Sequence, residues 1–262
     1  MYRLFRYRLP FWASLPLMLP QALSLRRTAP RAPAAEGPRS GCADAVGAAG
    51  LDAAARRPLR LLGIGDSPLE GVGIARIEDT LTVQLAQALA ARDQRPVQWR
   101  ILARNGLTAH GTLQRLLPQI EAAAFDLILV SVGVNDVTAL TLSQRFRNRL
   151  TELLRALRQH SPAARIVLLG VPPMQAFPLL PQPLRAWLGG RSRRLEAISE
   201  AVAAAQGALH SPVHIEPSPE LFADDGFHPS SLGHARWAHE VLQRLDADAV
   251  QPQADSIGEF AQ

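Results

Sequence analysis

The sequence predicts an α/β protein whose parallel sheet is covered by helices on both faces. Two observations carry this expectation. From Leu59 onward, short apolar runs of strand length alternate with segments whose apolar residues recur at helical spacing. The runs are apolar at successive positions, as in strands buried on both sides, and do not alternate with polar residues. At 262 residues, with no internal repeat, the chain suits one sizeable domain with modest extensions.

The elements follow in order. Residues 59–64 form a first strand that ends at Gly65, and 77–91 a helix. Residues 97–102 are a second strand, and a helical stretch covers 113–123. The third strand, 126–132 (DLILVSV), is the clearest, being apolar and rich in branched residues. A helix over 146–158, a fourth strand over 165–169 and a helix over 193–206 come next. A short fifth strand over 213–215 and a helix over 231–245 close the domain. The domain therefore spans 58–246, preceded by a signal-like or anchor segment (1–28) and an Ala/Pro/Gly/Arg-rich linker (29–57), and followed by a polar tail (247–262).

All 28 basic residues are Arg, so a Walker-type phosphate loop and Schiff-base chemistry, both of which need Lys, are excluded. The net charge of +5 sits in the first 60 residues, which carry ten arginines against three acids. The remainder has eighteen against twenty, so the body shows no net basic charge of the kind that a nucleic-acid face requires. The single cysteine, Cys42, permits no intramolecular disulfide and reads as an incidental thiol. Arg3, Arg6 and Arg8 precede an apolar stretch from Leu9 to Leu25, which resembles a signal or signal-anchor segment. Pro10, Pro16 and Pro20 interrupt it, and arginines flank both ends, features that also suit a segment packed on the protein's own body. Export to the periplasm or medium, or inner-membrane association, is expected over a cytoplasmic location.

Four polar or glycine motifs fall just after predicted strands or ahead of the last helix. Gly65-Asp66-Ser67 presents a hydroxyl at a strand-to-helix turn, where helix N–H groups stabilise negative charge. Asn105-Gly106 allows close backbone approach to a ligand. Gly133-Val134-Asn135-Asp136 offers a side-chain amide as an oxyanion donor or, alternatively, a helix cap. In Asp225-Gly226-Phe227-His228, the three-residue spacing lets the carboxylate meet one imidazole nitrogen and leaves the other for a serine proton. Each motif taken alone is also an ordinary turn or cap; their order and placement along one sheet edge give them weight.

That order, Gly-Asp-Ser, Gly, Gly-x-Asn-Asp and Asp-x-x-His, resembles the four sequence blocks of the SGNH (GDSL) hydrolases from about Leu59 to Leu245. The resemblance implies a flavodoxin-like, three-layer α/β/α fold with a five-stranded parallel sheet, and hydrolysis of carboxylic esters or thioesters without metal or cofactor. It implies nucleophile Ser67, acid Asp225 and base His228, with an oxyanion hole from the Ser67 and Gly106 N–H groups and the Asn135 amide. Pro68-Leu69 departs from the Thr or Tyr and small residue of many members. Residues 171–185 also resemble a bacterial lipase-like subgroup. With Met174, Phe177, Leu179, Leu180 and Trp187, this stretch is a candidate acyl pocket as well as a rigid surface loop. The expected partners are small-molecule, lipid or glycan esters, with membrane association through the N-terminal segment and no nucleic acid. The alternatives are a carbohydrate or cell-envelope O-deacetylase on the same scaffold and a non-catalytic envelope-binding module.

Overall fold

The computed structural model describes residues 11–28, 32–44, 56–121, 124–214 and 218–250. In chain order the elements are α1 (Phe11–Thr28), β1 (Ser40–Ala43), β2 (Leu59–Gly65), α2 (Ser67–Glu70), α3 (Leu81–Asp93), β3 (Val97–Ala103) and α4 (Ala109–Arg115). There follow β4 (Leu127–Ser131), α5 (Val134–Thr138), α6 (Ser143–His160), β5 (Arg165–Leu169), α7 (Leu184–Ala205), β6 (Leu209–Ser211) and α8 (Ser231–Val250).

The strands form one sheet in the order β1-β3-β2-β4-β5-β6. Strands β2 to β6 are parallel, and their order is the flavodoxin-like one, with the switch point between β2 and its two neighbours. Alternation along each strand divides the core between the two faces. Leu62, Ile64, Ile128, Val130, Ile166 and Leu168 point into a cluster under α4, α6 and α7. Leu61, Leu127, Leu129, Val167 and Leu169 point into a second cluster under α3 and α8. Burial on both sides of the sheet is what made these strands read as continuous apolar runs.

The sixth strand is the main departure from expectation. Residues 40–43 lie in the segment read as linker, yet they pair antiparallel with β3, Ser40 opposite Arg100 and Ala43 opposite Val97. Ala34 and Glu36 make further bridges to Val72 and Arg76. The pairing uses backbone groups, and only Ala43 of the four is buried, so no apolar period marks the strand.

Other boundaries moved for local reasons. The helical stretch expected at 113–123 is α4 followed by a 3₁₀ turn over Leu117–Gln119 that holds Pro118, and residues 122–123 lie outside the described set. The fifth parallel strand is 209–211, not 213–215: Pro212 has no N–H to continue the ladder, and Ile215 lies outside the described residues. Helix α7 starts nine residues before the expected position, because Gly189 and Gly190 interrupt its helical signal. Helix α8 runs into the segment read as tail, where Asp248 accepts a 2.5 Å hydrogen bond from Arg165; residues 251–262 are outside the described set.

The signal-like segment is partly described. Helix α1 docks Met18 into the core, flanked by Ala22 and Leu25, and Gln21 exchanges hydrogen bonds with the Gln182 carbonyl and the Leu184 N–H. No helix among the described residues is long and apolar enough to cross a membrane.

Candidate active site

Gly65 ends β2 at φ +151°, and a Cβ there would fall 1.9 Å from the Ser131 carbonyl oxygen of the neighbouring strand. Only glycine fits, and the turn it permits starts α2 at Ser67. Pro68 follows where no N–H is required, and the Gly71 and Val72 N–H groups donate to the Ser67 carbonyl. The Ser67 N–H stands in the first turn of a helix, where no intrahelical acceptor exists.

Beyond β3, Gly106 sits at φ +82° with open space where a Cβ would stand, and Asn105 N–H donates to Glu70 at 2.5 Å. Beyond β4, Asn135 donates through Nδ2 to Asp66 Oδ2 at 3.2 Å and to the Leu107 carbonyl at 3.0 Å. Both amide protons therefore have protein acceptors, and Asn135 would share or redirect one to serve an oxyanion. Asp66, almost fully buried, also accepts from Ser131 Oγ at 2.5 Å. Burial pushes its carboxyl up to about 7; nearby Asp136 adds to the rise, while donation from Ser131 and Asn135 opposes it. Asp136 accepts from the Ala109 N–H at 2.8 Å, which ties α5 to the start of α4, and burial raises its pKa as well.

The Asp225 loop closes on itself. Phe222 bridges Pro229, Ala223 N–H donates to the His228 carbonyl at 2.8 Å, and Gly226 N–H donates to the Ala223 carbonyl. Asp225 Oδ1 accepts the Phe227 and His228 N–H groups, each at 2.9 Å, and Oδ2 lies 2.6 Å from His228 Nδ1. Burial opposes its charge, but these three donors outweigh burial and hold its pKa below the usual carboxylate value. Neighbouring Asp224 is exposed.

Ser67 and His228 line one cavity of about 70 Å³, walled by Val134, Pro172, Phe177, Phe222 and Phe227. Among the described residues, neither the Ser67 hydroxyl nor His228 Nε2 has a hydrogen-bond partner. Phe177 meets Phe222 and Phe227 edge to face at 5.5 and 5.0 Å, and Phe227 meets the His228 ring at 5.2 Å.

Of the pocket residues expected from sequence, Phe177 lines the cavity. Met174 is in the core, its N–H donating to Ser192 Oγ, and Leu180 is likewise buried in the core. Leu179 braces the Asp225–Pro229 loop through its N–H to the Gly226 carbonyl at 3.1 Å, and Trp187 lies beneath Arg191 on α7. Sequence reasoning missed Phe222, Phe227, Val213 and Trp237 as lining residues. Phe227 stood inside the Asp-x-x-His block, and Phe222 three residues before it, a signal that was available. His234 is fully buried; Nδ1 accepts the Leu81 N–H at 3.1 Å, and burial pushes its pKa down to about 3. His210 Nε2 lies 3.2 Å from Glu196 Oε1. Among the described residues no cluster of three or more His, Cys, Asp or Glu could hold a metal ion.

The family model described as "GDSL-like Lipase/Acylhydrolase family" matches residues 64–236. A GDSL-like esterase of Mycobacterium tuberculosis is 29% identical over 210 residues, covering 75% of this chain and 64% of that protein, so the chain spans less than two thirds of its length. The crystal structure of the psychrotrophic esterase EstA from Pseudoalteromonas, inhibited by monoethylphosphonate, superposes with a TM-score of 0.58 at 18% identity, covering 73% of this chain and 99% of that one. A carbohydrate esterase family 2 enzyme with a carbohydrate-binding domain from Corynascus thermopiles (Myceliophthora fergusii) superposes at 0.56 and 16% identity, over 74% and 67% of the two chains. These structures share the fold, and the family model covers most of the chain, including the Ser67, Gly106, Asn135, Asp225 and His228 positions. The chain belongs to the GDSL-like lipase/acylhydrolase family.

Proposed function

We propose that the protein is a serine esterase that cleaves carboxylic esters or thioesters through an acyl-enzyme on Ser67. The observation that carries this reading is the Asp225–His228 hydrogen bond at 2.6 Å, with the imidazole lining the same cavity as Ser67. Asp225 holds Nδ1 as the protonated nitrogen, which leaves Nε2 as the base. Nε2 takes the Ser67 proton as Oγ attacks the carbonyl carbon. The oxyanion meets the Ser67 and Gly106 N–H groups and one Asn135 N–H. The His228 proton then passes to the leaving alcohol or thiol as the ester bond breaks. Water, deprotonated by His228, attacks the acyl-enzyme and releases the acid and the free Ser67 hydroxyl.

The test is turnover of a p-nitrophenyl short-chain ester by the protein and its Ser67→Ala variant. A fall of about 10³-fold or more is expected; activity within a few-fold of the parent would sink the reading. Labelling of Ser67 by a fluorophosphonate separates an esterase from a non-catalytic module. A second reading, O-deacetylation of a carbohydrate, draws support from the small cavity, which suits a short acyl group, and from the carbohydrate esterase of like fold. Acetate release from an acetylated glycan, measured against longer acyl esters, separates the two.

A further inference from the structure

The fold sorts the charge that the sequence interleaves. The helical layer of α1, α4, α5, α6 and α7 carries twelve arginines against four acids, one of which is the buried Asp136. The opposite layer, α3 and α8 with the 3₁₀ turn Ile77–Asp79, carries three arginines against six acids. Apolar side chains are also exposed, five of them on that basic layer and its α5–α6 turn and the sixth, Leu232, on α8. Among the described residues, the exposed large ones are Leu17, Leu19, Leu23, Leu140, Leu142 and Leu232, between 46% and 74% exposed.

Leu140 and Leu142 follow the carboxyl end of β4, Leu232 adjoins Gly233 of the Ser67 cavity, and the helix that carries the other three is fastened beyond the carboxyl end of β5. Leu17, Leu19 and Leu23 are on α1, which is fastened at Gln182 and Leu184, just beyond the loop after β5. Leu140 and Leu142 occupy the turn between α5 and α6, held by Arg191 hydrogen bonds to the Val137 and Thr141 carbonyls. Leu232 opens α8, four residues past His228. Leu140 adopts φ +57°, a conformation that L side chains resist, and the surrounding structure holds it there with its side chain in solvent. Arg145 and Arg147, both exposed, follow that turn directly, and Arg27 is exposed on α1.

We infer that this rim docks the protein onto an anionic lipid surface, with α1 and the α5–α6 turn entering the headgroup region. Leucines flanked by arginines are the composition of an in-plane amphipathic anchor, whose apolar side enters the acyl boundary while guanidinium groups meet lipid phosphates. The residues before α1 add Arg3, Arg6 and Arg8 with no acid. Among the residues whose side chains are described, the large apolar side chains exposed on the rim are all leucine, with no aromatic ring on which nucleic-acid bases would stack, which favours lipid over a nucleic-acid partner. In this orientation the catalytic edge faces the surface and, given the esterase reading of Ser67, esters held in that surface come within reach.

The experiment is co-sedimentation of the full chain with vesicles, scored as protein bound and not as activity. Binding to phosphatidylcholine vesicles containing about a quarter phosphatidylglycerol should exceed binding to phosphatidylcholine alone by roughly tenfold and weaken in high salt. The double variant Leu140→Asp/Leu142→Asp should lose most of that binding while turning over a soluble p-nitrophenyl ester within about twofold of the parent. The triple variant Leu17→Asp/Leu19→Asp/Leu23→Asp gives a second, independent loss. Equal recovery with both vesicle types would overturn the inference. So would undiminished vesicle binding by both leucine variants, or binding that single-stranded DNA abolishes while the leucine variants leave it intact.

Discussion

At the scale of single residues, two buried titratable groups act in opposite directions. Asp66 has its carboxyl raised to about 7 by burial, so the folded state holds a proton that the unfolded chain releases. Its contribution to stability therefore falls as pH rises from about 4 to 7. His234, pushed down to about 3, is neutral in the fold and charged in the unfolded chain below its usual value. Its contribution rises with pH across roughly 3 to 6.5. The two slopes overlap and oppose, so the protein should show a flatter stability profile between pH 4.5 and 6.5 than either group alone would impose. Denaturant titrations of Asp66→Asn should reveal stability that climbs with pH across that interval. An unchanged profile would mean that Asp66 is not protonated in the fold. Asn135→Ala, beside Asp66, should lower kcat by about 10²–10³-fold with a smaller effect on KM, the signature of a donor used in the transition state.

At the scale of elements, the Asp225–Pro229 loop joins cavity and catalysis. Edge-to-face contacts run from Phe222 through Phe177 and Phe227 to His228, so the cavity and the imidazole share a wall. Phe177→Ala should widen the cavity and shift preference toward longer acyl esters, at a stability cost of about 3–5 kcal/mol. An unaltered chain-length profile in the folded variant would show that acyl groups bind elsewhere. The strands β2, β4 and β5 were legible in sequence because both faces of each are buried. Three of the motif blocks were legible because glycine and polar residues interrupt apolar runs at strand ends, and the fourth because its Asp-x-x-His spacing precedes the last helix. What escaped was set by tertiary contact: β1 has no apolar period, β6 is three residues beside a proline, and the cavity recruits Val213 and Trp237 from segments far apart in sequence.

At the scale of the whole molecule, summing charge along the chain concealed its distribution in space. Arginines and acids are interleaved in sequence, and only the assignment of helices to layers separates them. Helix α1 belongs to that assembled body. Removing residues 1–28 should uncover the seat of Met18, Ala22 and Leu25 and lower stability by about 2–4 kcal/mol. Turnover of a soluble ester should persist within about twofold, since no described residue of α1 lines the cavity shared by Ser67 and His228. Loss of turnover in a folded truncated chain would give α1 a place in the site itself.

Strand β1 has a consequence of another kind. Without it the sheet would end on β3, seven residues with a row of unpaired N–H and C=O groups facing solvent. Such an edge is a template for a second chain. Four residues of weak strand-forming composition, running against the direction of the rest, pair with the first four residues of that row. The segment that looks least structured by composition thus guards the protein against self-association, and a chain from which residues 32–44 are deleted should be recovered chiefly as aggregate.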